Sequence, residues 1–269
     1  MSDDQCESDR DCAERGAPSE LRTCRGGVCR AATGPAAFAC LRQVRGAIAS
    51  KPEEALQRVF VHDLNSSPLA DVAVQLCATG DFLCAQPLQE RVTDNNGRVE
   101  FRVDTDFNVY FQYQAAGAMP GLLHTTPAYR REANALIVGP LERGTTDYDA
   151  FGLSFEVAST LASAARATLS PERGFAFVRV LGCEPGVQSA GVVVEIEAAP
   201  DDTRVFYDRG GAPVAAETTD ASGSAYVLNL PVGLVTVRAK VKATGEFLGE
   251  RTVISRAGVL TTFSLGPSP

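Results

Sequence analysis

The sequence predicts an all-β protein in which two sandwiches stand in tandem behind a small disulfide-rich segment, with one short helix between them. Three observations carry that expectation. A strand, turn and strand pattern occurs twice along the chain. The composition, with Gly 24, Pro 15 and short alternating apolar runs, favours brief strands and turns over a helix bundle. Four of the eight cysteines fall within the first thirty residues. The expected boundaries are 1–34 for the Cys-rich segment, 35–150 for the first sandwich, 151–171 for a helical linker and 172–269 for the second sandwich.

The amino-terminal segment holds Cys6, Cys12, Cys24 and Cys29 in a stretch too small and polar to build a core. Zinc knuckles use C-x2-C pairs, whereas the gaps here are C-x5-C, C-x11-C and C-x4-C, with Asp9, Asp11 and Glu14 between them and no histidine. Disulfides are therefore expected, and the interleaved pairing Cys6–Cys24 with Cys12–Cys29 is preferred among the three connectivities that four cysteines allow. An even cysteine total fits an oxidising compartment, so a secreted, outer-surface or periplasmic location is expected. Met1 opens into Ser2-Asp3-Asp4 with no basic start and no apolar run. An exported protein with that start implies a trimmed leader or lipid anchor, which would be its one link to a membrane.

In the body of the chain, Thr93-Asp94-Asn95-Asn96-Gly97 is echoed by Thr219-Asp220-Ala221-Ser222-Gly223. Each T-D-x-x-G is preceded by a matching run, Leu69 to Leu76 and Ala190 to Ile196, and followed by alternating strands. The aspartate can cap such a turn with its carboxylate, and the glycine accepts a positive φ where the chain reverses. In the return strand Val109, Phe111 and Tyr113 form one apolar face, which leaves Tyr110 and Gln112 pointing outward. Residues Phe155 to Leu169 read as the helix, with Val157, Leu161, Ala164 and Ala165 on one face and Pro171 as its stop. The stretch from Met119 to Asp149, broken by Pro120, Pro127 and Pro140, reads as a long connection with one or two strands, such as Ala135 to Val138.

Two further disulfides are expected. Cys77 and Cys84 flank a loop short enough for their α-carbons to approach within the ~4.4 to 6.8 Å that a bridge needs. Cys40 and Cys183 hold corresponding early positions in the two sandwiches and are left without another partner. Their bond would clamp the two units into one body.

The order G-V-x-V, a T-D-x-x-G turn and an aliphatic return strand resembles the carboxypeptidase regulatory-like, or transthyretin-like, β-sandwich family, over Phe38 to Pro140 and Gly174 to Pro267. That resemblance implies seven-stranded Greek-key sandwiches. The C-x5-C-x11-C-x4-C segment, with Asp11-Cys12 and Gly26-Gly27-Val28-Cys29, is similar to a short Cys-rich repeat on exported proteins of myxobacteria. The combination resembles surface lipoproteins of that group. A shared sandwich does not carry a shared activity.

Composition narrows the function. With 45% hydrophobic and 22% charged residues over 269 positions, the chain can bury a sizeable core. Its formal net charge of -8 argues against a nucleic-acid partner, which requires clustered cations. Hydroxyisourate hydrolases of the transthyretin group need several histidines and a Tyr-Arg-Gly-Ser end, whereas this chain has His62 and His124 and ends Gly266-Pro267-Ser268-Pro269. Intradiol dioxygenases ligate iron with two tyrosines and two closely spaced histidines, a spacing that His62 and His124 lack. No G-x-S-x-G nucleophile motif is present. The leading candidate for ligand binding is His124, expected in a loop beside outward-facing Tyr110 and Tyr129. A weaker group is Asp94, Asp104 and Asp106, oxygen ligands that could hold calcium if turn chemistry does not use them. The expectation is a non-catalytic exported structural or recognition module with no cofactor, its partner a protein or surface glycan, although Trp 0 removes the indole platform common in sugar binding. The alternative is a small hydrolase or metal-dependent enzyme built on His124, Tyr110 and Tyr129.

Overall fold

In the computed structural model the described residues are 23–25, 28–30, 38, 40–46, 54–104, 108–132, 135–139, 144–184, 187–210 and 212–268. Strands β1 (Thr23–Arg25) and β2 (Val28–Arg30) form an antiparallel ribbon that places Cys24 opposite Cys29 along the backbone. Cys6 and Cys12 lie outside the described residues, and so do the bridges expected to them. After a 3-10 turn at Leu41–Gln43 come β3 (Val44–Gly46), β4 (Glu54–His62), β5 (Ala73–Ala78), β6 (Gln89–Val92), β7 (Arg98–Asp104) and β8 (Val109–Gln114). They are followed by β9 (Gly121–His124), β10 (Ala128–Glu132), β11 (Ala135–Gly139), β12 (Gly144–Phe151) and the helix α1 (Phe155–Ala164). The second half contains β13 (Gly174–Val180), β14 (Val192–Ile196), β15 (Arg204–Asp208), β16 (Pro213–Val214), β17 (Ser224–Leu230), β18 (Gly233–Val241), β19 (Phe247–Ser255) and β20 (Leu260–Leu265).

The two T-D-x-x-G segments fold to the same hydrogen-bonded device. Buried Thr93 donates its hydroxyl to the Leu69 carbonyl (2.8 Å) and accepts from the Val72 amide (3.0 Å). Thr219 does the same with the Ser189 carbonyl (2.8 Å) and the Val192 amide (3.1 Å). Each threonine thereby ties the turn to the start of an earlier strand, β5 or β14, using a hydroxyl that would be costly to bury unpaired. The Asp94 carboxylate accepts from the Asn96 and Arg98 amides, both at 2.9 Å, and the Arg98 amide holds its carboxyl below the usual carboxylate range. Asp220 accepts from the Ser222 amide (2.9 Å) and hydroxyl (2.6 Å). Gly97 and Gly223 close the turns at φ 69° and 60°, and a Cβ on either would collide with the carbonyl of Val61 or Val180. Only glycine fits both the conformation and the space.

Around these turns each half repeats one plan. In the first, β4 is flanked by antiparallel β7 and parallel β12. In the second, β13 is flanked by antiparallel β17 and parallel β20. The facing layers are β5, β8 and β9 in the first half and β14, β18 and β19 in the second, both antiparallel. Side chains from both layers of the first half meet in a core that includes Val59, Phe101, Phe111 and Tyr148. Val178, Val194, Val237 and Phe263 mark the corresponding core of the second. Alternation at period 2 buries these faces, as in sheets that pack face to face.

The expectation of two units standing simply in tandem needs a correction. Strand β9 of the first half pairs in parallel with β20 of the second, Gly121 against Leu260 to Leu123 against Thr262. One nine-stranded sheet, in the order β16-β15-β17-β13-β20-β9-β8-β5-β6, therefore runs through both halves, with a three-stranded layer for each, β12-β4-β7 and β14-β18-β19. Each half contributes a different layer of the shared plan to that sheet.

The segment between the halves also departs from expectation. Met119 to Asp149 is mostly strand, supplying β9 to β11 and most of β12. Helix α1 ends at Ala164, with Arg166 just beyond at φ 57°, and its buried residues are Ala158 and Ala162 rather than Val157, which is 39% exposed. The reason is packing: the small alanines let the helix lie close on the nine-stranded sheet against Phe175, Leu228 and Leu260. Ser154 caps it by accepting from the Val157 amide (3.2 Å).

Candidate functional site at the junction of the halves

The junction is held covalently and by side chains. Cys40 and Cys183 form a disulfide with α-carbons 5.5 Å apart, packed with Leu136, and Cys77 and Cys84 form another at 5.4 Å. Both are the pairs expected from the sequence. Their settings differ from expectation: Cys40 precedes the 3-10 turn, Cys183 follows β13, and Cys84 sits in the loop at φ 51° well before β6 begins.

Of the candidate ligand residues, His124 and Tyr110 come together. Their rings stack with centroids 5.7 Å apart, from register partners on β9 and β8. Neither is in a loop or outward-facing, which corrects the sequence reading: both are buried. The face of β8 opposite the first core is covered by Ile254 and Val259 of the second half and by the Cys77–Cys84 loop. Period-2 alternation marks which residues share a face, and here both faces are inside.

The polar atoms of this pair are engaged in structure. The Ile254 amide donates to His124 Nε2 (3.2 Å). Burial, reinforced by the positive charges of Arg251 and Arg256, pulls the imidazole pKa down to about 3, so the ring is neutral, with its remaining proton on Nδ1. The Tyr110 hydroxyl donates to the Asp81 carbonyl (2.7 Å) and accepts from Arg256 Nη2 (2.9 Å), and burial raises its pKa. Arg256 reaches across from the second half to the Gln112 Oε1 (2.5 Å) and the Phe82 carbonyl, its guanidinium lying over the rings of Phe82 and Tyr110. Arg251 likewise donates to the Ser264 and Thr125 carbonyls. The arrangement ties β19 to the first half. With the Nε2 lone pair already accepting a buried amide, His124 is not placed to take a proton from a substrate.

Tyr129 does not join the pair. It is half-buried on β10, packs with the Cys40–Cys183 cluster and has its phenol pushed up to about 12 by burial. A groove of about 230 Å³ beside the junction is lined by His124 together with Tyr148, Thr262 and Asp147, but by neither Tyr110 nor Tyr129. His62 ends β4, its Nδ1 2.9 Å from the Asp63 carbonyl and its ring edge-on to Phe151. The two histidines thus lie in separate surroundings.

The acidic candidates are not gathered either. Asp94 is committed to its turn. Asp104 ends β7 and lines an open groove with Glu54 and Arg102. Asp106 lies outside the described residues. Among the described residues no three His, Cys, Asp or Glu side chains stand close enough to share a metal ion, and no helix is long and apolar enough to cross a membrane. Sequence reasoning missed Arg251, Arg256, Thr93 and Thr219. The threonines had a signal, the repeated T of T-D-x-x-G; the arginines had none, because their partners are main-chain carbonyls, a glutamine and a tyrosine hydroxyl, mostly far away in sequence.

No protein-family profile and no curated protein sequence matches the chain. Solved structures do. Hydroxyquinol 1,2-dioxygenase from Pseudomonas putida DLL-E4 aligns over 42% of this chain and 60% of its own, with 14% identity and a TM-score of 0.25. The major pilin subunit BcpA of Bacillus cereus aligns over 80% and 69%, at 11% identity and a TM-score of 0.27. A streptococcal ancillary pilin aligns over 82% and 64%, at 12% identity and a TM-score of 0.23. The chain spans less than two thirds of the dioxygenase's length. At these scores no family and no activity follows.

Proposed function

We propose that the protein is a non-catalytic structural or recognition module of the exterior or periplasm, made of two transthyretin-like, carboxypeptidase regulatory-like units. The observation that carries this reading is the junction, where β9–β20 pairing, the Cys40–Cys183 bond and the Arg256 and His124 contacts hold both units in one orientation. A fixed, cross-linked pair of sandwiches suits a protein that bears load or presents a surface, and disulfides of this kind persist in oxidising compartments. Its partner in this reading is a protein or a surface glycan, and a lipid anchor would supply any membrane attachment.

Two measurements test the proposal. Thiol titration of unfolded, unreduced protein is expected to find almost no free thiol, and several titratable thiols would count against export. A broad metal and substrate screen with His124→Ala alongside is expected to give no turnover that depends on His124; such turnover would overturn the reading in favour of an enzyme.

A further inference from the structure

Strand β7 ends its layer as a regular edge. It pairs with β4 on one side without a bulge, and among the described residues no strand pairs with its outer side. Val99, Phe101 and Val103 face the first core, which turns Arg98, Glu100, Arg102 and Asp104 away from it in the alternation of a half-buried strand. The main-chain groups of those same residues point to the outer edge. There the Arg98 amide and carbonyl meet the Asp94 carboxylate and amide, both at 2.9 Å, and the Arg102 carbonyl accepts from Gln89 Nε2 (2.7 Å). The alternation of an antiparallel ladder aims the Glu100 amide and carbonyl the same way. Edges of this kind are ordinarily blunted by proline, a bulge or a charge turned into the core, and β7 has none of these across its 7 residues.

The charges along this edge complement themselves. Two copies that meet edge to edge about a twofold axis run antiparallel, and residues opposite one another lie on the same face of the sheet. With the axis at Phe101, Arg98 stands opposite Asp104 of the second copy and Glu100 opposite Arg102, so every outward pair joins opposite charges. The smallest shift that keeps the faces matched gives repulsion in either direction. One shift sets Glu100 against itself and Arg98 against Arg102; the other sets Arg102 against itself and Glu100 against Asp104. Asp104 gains most from the favourable register. It stands across the β4 ladder from Glu54, a like charge, and has no ion-pair partner among the described residues, whereas Arg102 holds Glu54 at 2.5 Å and Arg98 pairs with Glu100. Val92 and Leu88 of the neighbouring chain, 57% and 48% exposed, flank the two ends of β7, in grooves that the same axis brings opposite each other.

We propose that the protein forms a twofold dimer through β7, a second copy adding its own β7 antiparallel in the register centred on Phe101. The layer then runs β12-β4-β7-β7-β4-β12, and the Gln89 side chain yields the Arg102 carbonyl to the Glu100 amide of the second copy. The inference is independent of whether the protein is catalytic. One strand edge buries little area, so a dissociation constant on the order of 100 µM is expected. Sedimentation equilibrium of the full chain over a concentration series measures it. Glu100→Arg and Arg102→Glu each set like charges opposite one another at both Glu100–Arg102 contacts, and each should weaken self-association at least about tenfold. An equimolar mixture of the two variants restores opposite charges at both contacts and should dimerise as the unsubstituted chain does. Both side chains are exposed, and thermal melts of each variant check that the fold is kept. A chain that stays monomeric up to about 1 mM, self-association unaltered in either variant, or a mixture that stays monomeric would each overturn the proposal.

Discussion

The two halves use one turn and two different sheets. Around Thr93 and Thr219 the hydrogen bonds agree partner for partner although the two residues between aspartate and glycine differ. The strands that pair in parallel with β4 and β13 have opposite fates. Strand β12 lies at the end of its three-stranded layer, with Thr145, Asp147 and Asp149 exposed, whereas its counterpart β20 lies between β13 and β9 and is almost wholly buried. Local geometry is thus set within a few residues of the turn. The environment of a strand is set by what docks on its edge, and the same plan supports a solvated strand and an enclosed one.

Several perturbations would break or sharpen this comparison. The largest effect is expected at the clamp between the halves. Cys40 and Cys183 are 143 residues apart in sequence and Cys77 and Cys84 are 7 apart, so chain entropy assigns about 5 kcal/mol to the first bond and about 2.5 kcal/mol to the second. Chemical denaturation of the two double Cys→Ser variants measures this, and a larger loss from the short loop would show that the junction is held by other means.

Acidification tests the junction next. A histidine whose folded pKa is about 3, against about 6.5 unfolded, takes up its proton only in the unfolded chain between those values. Stability is therefore lost as pH falls from about 6.5 toward 3, by on the order of 3 to 5 kcal/mol. In His124→Gln, whose amide oxygen still accepts from Ile254, unfolding midpoints across that window should lose most of this slope.

The turns come third. Gly97→Ala and Gly223→Ala each force a side chain into the left-handed region and into a carbonyl, and each should cost about 2 to 4 kcal/mol. Thr93→Val and Thr219→Val each strand a buried carbonyl and amide and should cost about 2 kcal/mol. Thermal melts that found one member of either pair silent would end the equivalence of the turns. The smallest effect is expected for Ser154→Ala, about 1 kcal/mol, from the lost cap of α1. Its hydrogen-exchange signature should be confined to the helix.

Much of the fold could be read from local pattern. The T-D-x-x-G echo, the alternation through Val109, Phe111 and Tyr113, and the spacing of Cys77 and Cys84 are short-range signals, and the structure forms the turns, strands and bond they imply. The site was less legible. Tyr110 alternates as an outward residue should, and only contact with Ile254, Val259 and Arg256, distant in sequence, encloses it. His124 sits between prolines that suggested a loop, but it is register partner to Tyr110 in an antiparallel pair. Helix α1 showed the same limit: helical spacing put Val157, Leu161, Ala164 and Ala165 on its buried face, whereas close approach to a sheet buries Ala158 and Ala162 within the helix and leaves Val157 exposed.

The β9–β20 ladder also orders events in time. As the chain is synthesised, the edge of β9, with Leu122 and Leu123, waits for a partner strand from the far end of the second half. Until then it is an unpaired apolar edge, the kind of surface on which nascent chains associate wrongly. Because β20 stands between β13 and β9, a chain cut short before Leu260 leaves β9 with an open edge and the second half without the strand that joins the two.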